Sequence, residues 1–289
     1  MPTDLADRVV VLTGATSGIG RLAAVALAER GATVAAVGRD RGRGESLVAE
    51  TADAAGTVRF HRADLATTAA VRDLAARLLE AYDRIDVLAH NAGLSTRSRT
   101  ETADGVELTL AVNHLAPYLL THELYDRLAA SAPARVVVTA SDIHRRAAFD
   151  FDDLQFAADY DALDAYARSK LATVAFTLEL AARIPDDDAI TANCVHPGFV
   201  PSTNLFRDAS LPTRVMVRAA GLVPGVGTSA DEAAARVVRL IADDTFAERT
   251  GAYVGDGDLT PSTAASDPAA RERLWEASAE LVGVDADWP

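Results

Sequence analysis

Short runs of apolar, largely β-branched residues recur along the chain. They alternate with longer stretches whose apolar positions return every three to four residues. The short runs predict strands at 9–12, 33–37, 58–61, 87–89, 136–139, 190–195 and 252–254. The longer stretches predict helices over 18–30, 43–54, 69–82, 102–131, 162–183, 231–242 and 269–282, the last introduced by Asp267-Pro268 as N-cap and first-turn proline. Such alternation implies βαβ units around a parallel sheet. Seven strands that are apolar on both faces need helices on both faces, so the expected fold is an α/β doubly wound parallel sheet. No internal repeat, low-complexity tract or linker interrupts the pattern, which predicts a single domain over residues 1–289. The least regular stretch, 199–227, is rich in proline and glycine and is expected to form a mobile flap over the site.

Composition narrows the classes. With 49% hydrophobic residues a sizeable core is assured, yet no run of about 18 apolar residues could span a bilayer. The opening residues 1–7 are acidic and lack the pattern of a signal peptide, so the expected location is the cytoplasm. A net charge of −14 argues against a nucleic-acid partner, because phosphate binding needs a basic surface. Arginine and aspartate excess with almost no lysine would suit a high-salt habitat, although GC-rich coding gives the same bias. Cys194 is the only cysteine, which excludes an internal disulfide and reads as a buried small hydrophobe. The six histidines are scattered, with no His-x-x-x-His or cysteine pair, so no metal site is expected. His144 and His196 read as structural or pocket-lining residues, and Trp275 and Trp288 as packing anchors.

Three patterns carry chemistry. The first strand runs directly into Thr13-Gly14-Ala15-Thr16-Ser17-Gly18-Ile19-Gly20 and then into a helix. Glycines there allow a tight turn and the close approach of a pyrophosphate, whose charge meets the free N–H groups of the helix start. The second strand ends in Gly38-Arg39-Asp40-Arg41, where an arginine would bind a ribose 2′-phosphate and an acid the 2′-hydroxyl. Arg39 favours NADP(H), with Arg43 and Arg21 as further positive charge; Asp40 leaves NAD(H) open. Finally, one lysine stands against 27 arginines, in Tyr166-Ala-Arg-Ser-Lys170. At i and i+4 the two side chains share a helix face, where an ammonium would pull the phenol pKa down from ~10.

With Asn91-Ala92-Gly93 after the fourth strand, Asn113 and Ser141, these motifs together resemble the short-chain dehydrogenase/reductase family, in its single-domain, Rossmann-like branch. Val112-Asn-His-Leu-Ala-Pro-Tyr, Ser141-Asp-Ile-His144 and the segment 272–281 are most similar to the retinol-dehydrogenase-like group. The resemblance implies Tyr166 as general acid or base, Lys170 as its partner and a ligand of the nicotinamide ribose, and Ser141 as the hydrogen bond to the substrate carbonyl. Asn113 is implied to position a relay water. Cofactor contacts are implied at Gly14, Ser17, Gly18, Ile19, Gly20, Arg39, Asp64, Leu65, Asn91, Ala92, Gly93, Pro197, Gly198, Val200 and Ser202 (or Thr203). Asp64 also reads as an N-cap for the helix after Thr67. Ala140 stands where the family often has a second serine, and the hydrophobic anchor of the membrane-bound retinoid enzymes is not seen here.

The expected activity is NADP(H)-dependent hydride transfer to or from a carbonyl or alcohol, with reduction preferred. Phe149, Phe151, Phe199, Leu205, Phe206, Leu211 and Met216 suggest an apolar substrate. The resemblance also implies a homodimer or tetramer. Two other readings stay open: a non-catalytic NADP(H)-sensing protein, which would not need Ser141, Tyr166 and Lys170 together, and a nucleotide-sugar epimerase or dehydratase, which usually carries a larger C-terminal domain.

Overall fold

The computed structural model describes residues 5–201 and 227–289. Among them, eight strands form one sheet in the order β3-β2-β1-β4-β5-β6-β7-β8. The strands are β1 Val9–Thr13, β2 Thr33–Gly38, β3 Thr57–Arg62, β4 Val87–His90, β5 Ala134–Thr139, β6 Ile190–Val195, β7 Tyr253–Val254 and β8 Asp258–Leu259. The first seven run parallel and β8 returns antiparallel. The sequence predicts seven strands. The eighth has only two residues in a hairpin behind Gly255 and Gly257, too short to show any alternation.

Both faces are covered, as the doubly apolar strands require. One face packs α1 Gly18–Glu29 and α6 Ala230–Ala242, burying Leu27, Val34, Leu12, Val237 and Ile241. The other packs α3 Thr68–Ala81, α4 (108–130), α5 Ala162–Arg183 and α7 Pro268–Val282 over Val11, Leu88 and Val136. Each buried leucine or valine contributes roughly 1.5–3 kcal/mol relative to exposure. α7 and the residues after it close the second face: Trp275 and Trp288 pack on Tyr118, and Trp288 Nε1 donates to the Tyr118 hydroxyl (2.8 Å). Both tryptophans are thus packing anchors, as the sequence suggests.

Helix starts depart from the periodic pattern where a polar cap decides them. α2 spans Arg41–Glu50 rather than 43–54, because the Asp40 carboxylate accepts from the Arg43 N–H (3.0 Å). α3 is capped by Thr67, which accepts from Ala70 N (3.3 Å); Asp64 is exposed and does not cap it. The helix expected over 102–131 begins only at Leu108. Residues 101–107 form a turn closed by a Glu101–Glu107 bridge, and the buried Glu107 carboxylate caps Thr109 and Leu110. This element, α4, then contains a π-helical turn at Ala111–Leu115 before the regular helix Ala116–Ala130.

In this strand order the connections leave β1 in one direction and β4 in the other, which opens a crevice at the carboxyl ends of those two strands. The predicted flap over 199–227 lies largely outside the described residues, with Ser202, Thr203, Leu205, Phe206, Leu211 and Met216.

Candidate active site

The crevice is built from the turn after β1. Gly14 and Gly18 adopt φ values of +67° and +53°, a region that L side chains rarely occupy. A Cβ on Gly14 would lie 2.8 Å from the Ala92 Cα, and one on Gly20 would lie 2.3 Å from the Gly14 carbonyl oxygen. The glycines therefore let the turn, the β4 end and α1 approach one another. Ser17 occupies the N-cap of α1 but makes no capping hydrogen bond, and the first turn carries no acid. The first N–H groups of α1 thus face the crevice with the partial positive charge of the helix start. These residues fit a pyrophosphate.

Asn91 stitches the crevice floor. Its amide nitrogen donates to the Thr13 carbonyl (3.2 Å), its carbonyl oxygen accepts from the Thr139 hydroxyl (3.4 Å), and Thr13 Oγ1 accepts from the N–H groups of Asn91 and Ala92 (3.0 and 3.1 Å). At the far end of the same edge, Arg39 is exposed immediately after β2. Beside it, Arg62 donates to the Arg39 carbonyl (3.2 Å). Asp40 is engaged as the α2 cap and by Arg43 at 3.5 Å. Arg21 is paired with Glu50, so it does not supply the free positive charge expected of it. Leu65 is buried just past the end of β3.

The chemistry-bearing side chains converge on the other side of the crevice. Tyr166 and Lys170 lie one turn apart on α5, 7% and 5% exposed. Ser141, two residues after β5, lies close enough to the Tyr166 hydroxyl to favour its ionised form. Lys170 Nζ donates to the Thr139 carbonyl (2.8 Å) and sits 5.9 Å from the centre of the Tyr166 ring. A Cβ on Gly93 would come within 3.7 Å of that ammonium.

Burial decides the ionisation of this pair. It pushes the Tyr166 phenol above its ordinary value, and the neighbouring Ser141 hydroxyl offsets only part of the rise. It also pulls Lys170 down to about 8. The Tyr-x-x-x-Lys spacing predicts a phenol acidified by the ammonium. With the protein's own groups the desolvation of both side chains dominates, and the ammonium is anchored on the Thr139 carbonyl instead. The phenol keeps its proton at neutral pH.

Asn113 lies inside the π-turn. Its side chain accepts from Leu94 N (2.8 Å) and donates to Leu94 O and Ser169 Oγ (both 2.9 Å). An α-helical carbonyl at 113 would bond the N–H of residue 117, but that residue is a proline. The Asn113 carbonyl accepts from Thr173 Oγ1 (3.3 Å) on α5. Pro117 is therefore the sequence signal for the π-turn, and Ser169 and Thr173 are the partners that the motif reading missed.

The stretch after β6 is also held in place. Gly198 has φ +96°, and a Cβ there would lie 2.0 Å from Thr228 Oγ1. Arg236 on α6, whose start carries a Ser229–Glu232 capping box, donates to the Pro197 carbonyl (3.0 Å). Val200 is buried. Phe149 and Phe151 stack on one another (5.2 Å between centroids) and pack against α5 and α7 through Ala172, Ala175 and Leu274. Among the described residues no group of three or more histidine, cysteine or acidic side chains could hold a metal ion, and no helix is long and apolar enough to cross a membrane.

A switch-point crevice with a pyrophosphate cradle and a buried tyrosine–lysine pair defines a nicotinamide-dinucleotide oxidoreductase fold. The chain belongs to the short-chain dehydrogenase family, whose model matches residues 8–212. It is 41% identical over 285 residues to a Streptomyces sp. (strain C5) protein named "Putative daunorubicin C-13 ketoreductase DnrU", covering 98% of this chain and 95% of the relative. It is 38% identical to human retinol dehydrogenase 12, over 97% of this chain and 88% of that protein. Among solved structures, the Pseudomonas aeruginosa RhlG/NADP active-site complex superposes with a TM-score of 0.72 at 27% identity, over 89% of this chain and 98% of that one.

Proposed function

We propose that the whole chain acts as one dinucleotide-binding domain that reduces a carbonyl of a fairly apolar small molecule with NADPH. The observation that carries this is the buried Tyr166 with Lys170 one turn away on α5, the lysine held on the Thr139 carbonyl and Ser141 beside the phenol. When bound, the cofactor supplies a hydride from nicotinamide C4. Gly14, Ser17, Gly18, Ile19 and Gly20 would hold its pyrophosphate, Asn91 to Gly93 its ribose, and Pro197, Gly198 and Val200 the nicotinamide side. Ser141 orients the substrate carbonyl and Tyr166 donates the proton to the nascent alkoxide. A phenol keeps its proton at neutral pH, which suits that direction. Lys170 stabilises the phenolate left behind, and the Asn113 turn lies behind the lysine as the entry for the replacing proton.

Arg39 motivates NADP(H) over NAD(H). Asp40, the one carboxylate placed for a 2′-hydroxyl, already serves the α2 start and Arg43, so the edge presents guanidinium groups from Arg39 and Arg62. Arg39→Ser is expected to weaken NADPH binding roughly 10- to 100-fold while leaving NADH within about twofold, as loss of a charge-assisted phosphate contact predicts. Fluorescence titration with both nucleotides measures this, and equal loss for both would refute the NADP(H) assignment. The apolar substrate class rests on exposed carbon at the site. Among the described residues three large hydrophobic side chains are more than a third exposed, and two of them, Leu163 and Phe199, lie one turn before Tyr166 and just after Gly198. The Streptomyces relative's name suggests a ketone in a larger molecule as the first substrates to try.

A further inference from the structure

We infer that His144 and His196 clamp the Ser141–Asp142 peptide group and are positioning residues for the Ser141 hydroxyl; the inference rests on the role of Ser141 proposed above. One peptide unit is gripped at both ends. Its carbonyl, Ser141 O, accepts from His144 Nδ1 (2.8 Å), and its N–H, on Asp142, donates to His196 Nδ1 (3.3 Å). The partners fix the proton positions. His144 must carry its proton on Nδ1, because Nε2 accepts from the Ser262 N–H (3.1 Å). His196 must leave Nδ1 bare. Both rings are therefore neutral when the clamp is closed.

The clamp is mounted on the sheet. His196 N donates to Val254 O (2.7 Å) and Ala140 N to Val195 O (2.8 Å), which tie the residues flanking the peptide to β6 and β7. Tyr253 on β7 stands edge-on to the His144 ring at 5.2 Å and donates to Asp142 Oδ1 (2.8 Å). His144 is fully buried. Ser141 itself is extended, at φ −161° and ψ 145°, and caps a short 3-10 turn through Ile143 N (3.4 Å). No other strand end in the crevice has its peptide held by two imidazoles among the described residues. With the peptide plane fixed, the Ser141 hydroxyl is left to choose its χ1 torsion, and the Ile143 N–H holds that.

Protonating His196 Nδ1 would turn the acceptor into a donor facing the Asp142 N–H and open the clamp. The groups facing it are the Asp142 carboxylate and Arg145 on the 3-10 turn, Arg236 on α6 and His144, with Tyr253 behind Asp142. Burial outweighs the carboxylate and holds His196 below its ordinary value of 6.5. The clamp should therefore be closed at neutral pH and open on the acid side.

Asparagine places an amide oxygen where histidine has Nδ1 but does not titrate. His196→Ala is expected to lower kcat for NADPH-dependent carbonyl reduction on the order of tenfold or more, the scale of a misplaced reacting group, with NADPH affinity within about twofold. His196→Asn should recover most of the rate and lose the decline in kcat expected of the wild type on the acid side of neutrality. His144→Ala should resemble His196→Ala. Amide exchange at Asp142 should quicken in His196→Ala and not in His196→Asn. Equal impairment of the Ala and Asn variants, or a wild-type pH profile in both, would overturn the clamp. Ser141→Ala separates the levels: if it keeps full kcat, the role of Ser141 fails and the clamp with it. If it is inactive while His196→Ala is not, only the clamp fails.

Discussion

Tyr166→Phe should lower kcat for carbonyl-dependent NADPH oxidation about 10²- to 10⁴-fold, the usual contribution of a positioned general acid, while NADPH binding stays within about twofold. The substitution removes one oxygen from a side chain that is 7% exposed and leaves the ring to fill the same space. What it deletes is the proton donor and the partner of Ser141. Lys170 keeps its hydrogen bond to Thr139, so the crevice should keep its shape. Steady-state kinetics with a ketone panel and a nucleotide titration check both halves. Loss of affinity in step with rate would mean that the hydroxyl serves binding rather than proton transfer.

The protein should lose stability steeply as pH falls from about 6.5 toward 3, by roughly 4 kcal/mol at pH 5 from two histidines alone. His90 and His114 are buried, and desolvation pulls each from 6.5 down to about 3. Each uses Nε2 on a hydroxyl, Thr121 Oγ1 (2.8 Å) and Ser278 Oγ (2.7 Å), and those hydroxyls donate onward to Pro117 O and Leu274 O. Both Nδ1 atoms are buried with no hydrogen-bond partner, so a second proton would enter the core unpaired. Below 6.5 the unfolded chain takes up protons that the folded chain refuses, which gives roughly 1.4 kcal/mol per histidine per pH unit. The stability is present in full above 6.5 and is lost on acidification. Urea unfolding midpoints between pH 7 and 5 measure the slope. His114→Gln, which does not titrate, should flatten it by about half, and an unchanged slope would place the acid sensitivity elsewhere.

Much of the site was legible because it is local. Glycines at fixed spacing between a strand and a helix, a tyrosine and lysine one turn apart, and asparagine and serine at strand ends all sit where the alternation of elements puts them. What escaped was set by partners distant in sequence or by single polar caps. Asp40 reads as a nucleotide ligand until its carboxylate is found capping α2. Asn113 reads as mid-helix, although Pro117 four places later already denies its carbonyl the usual donor. The histidine clamp joins Asp142 to a residue 54 positions away, and no local pattern announces it. The ionisation of Tyr166 also turned on burial, which a Tyr-x-x-x-Lys spacing does not reveal.

A hydride should pass from a nicotinamide to a carbonyl carbon held between Ser141 and Tyr166. NADPH carrying deuterium at C4, on each face in turn, tests it with an aryl methyl ketone and mass spectrometry of the alcohol. Deuterium at the carbinol carbon from one face only, with no labelled alcohol from Tyr166→Phe, is the predicted result. Alcohol without label, or nucleotide bound with no reduction across a broad ketone and aldehyde panel, would contradict it.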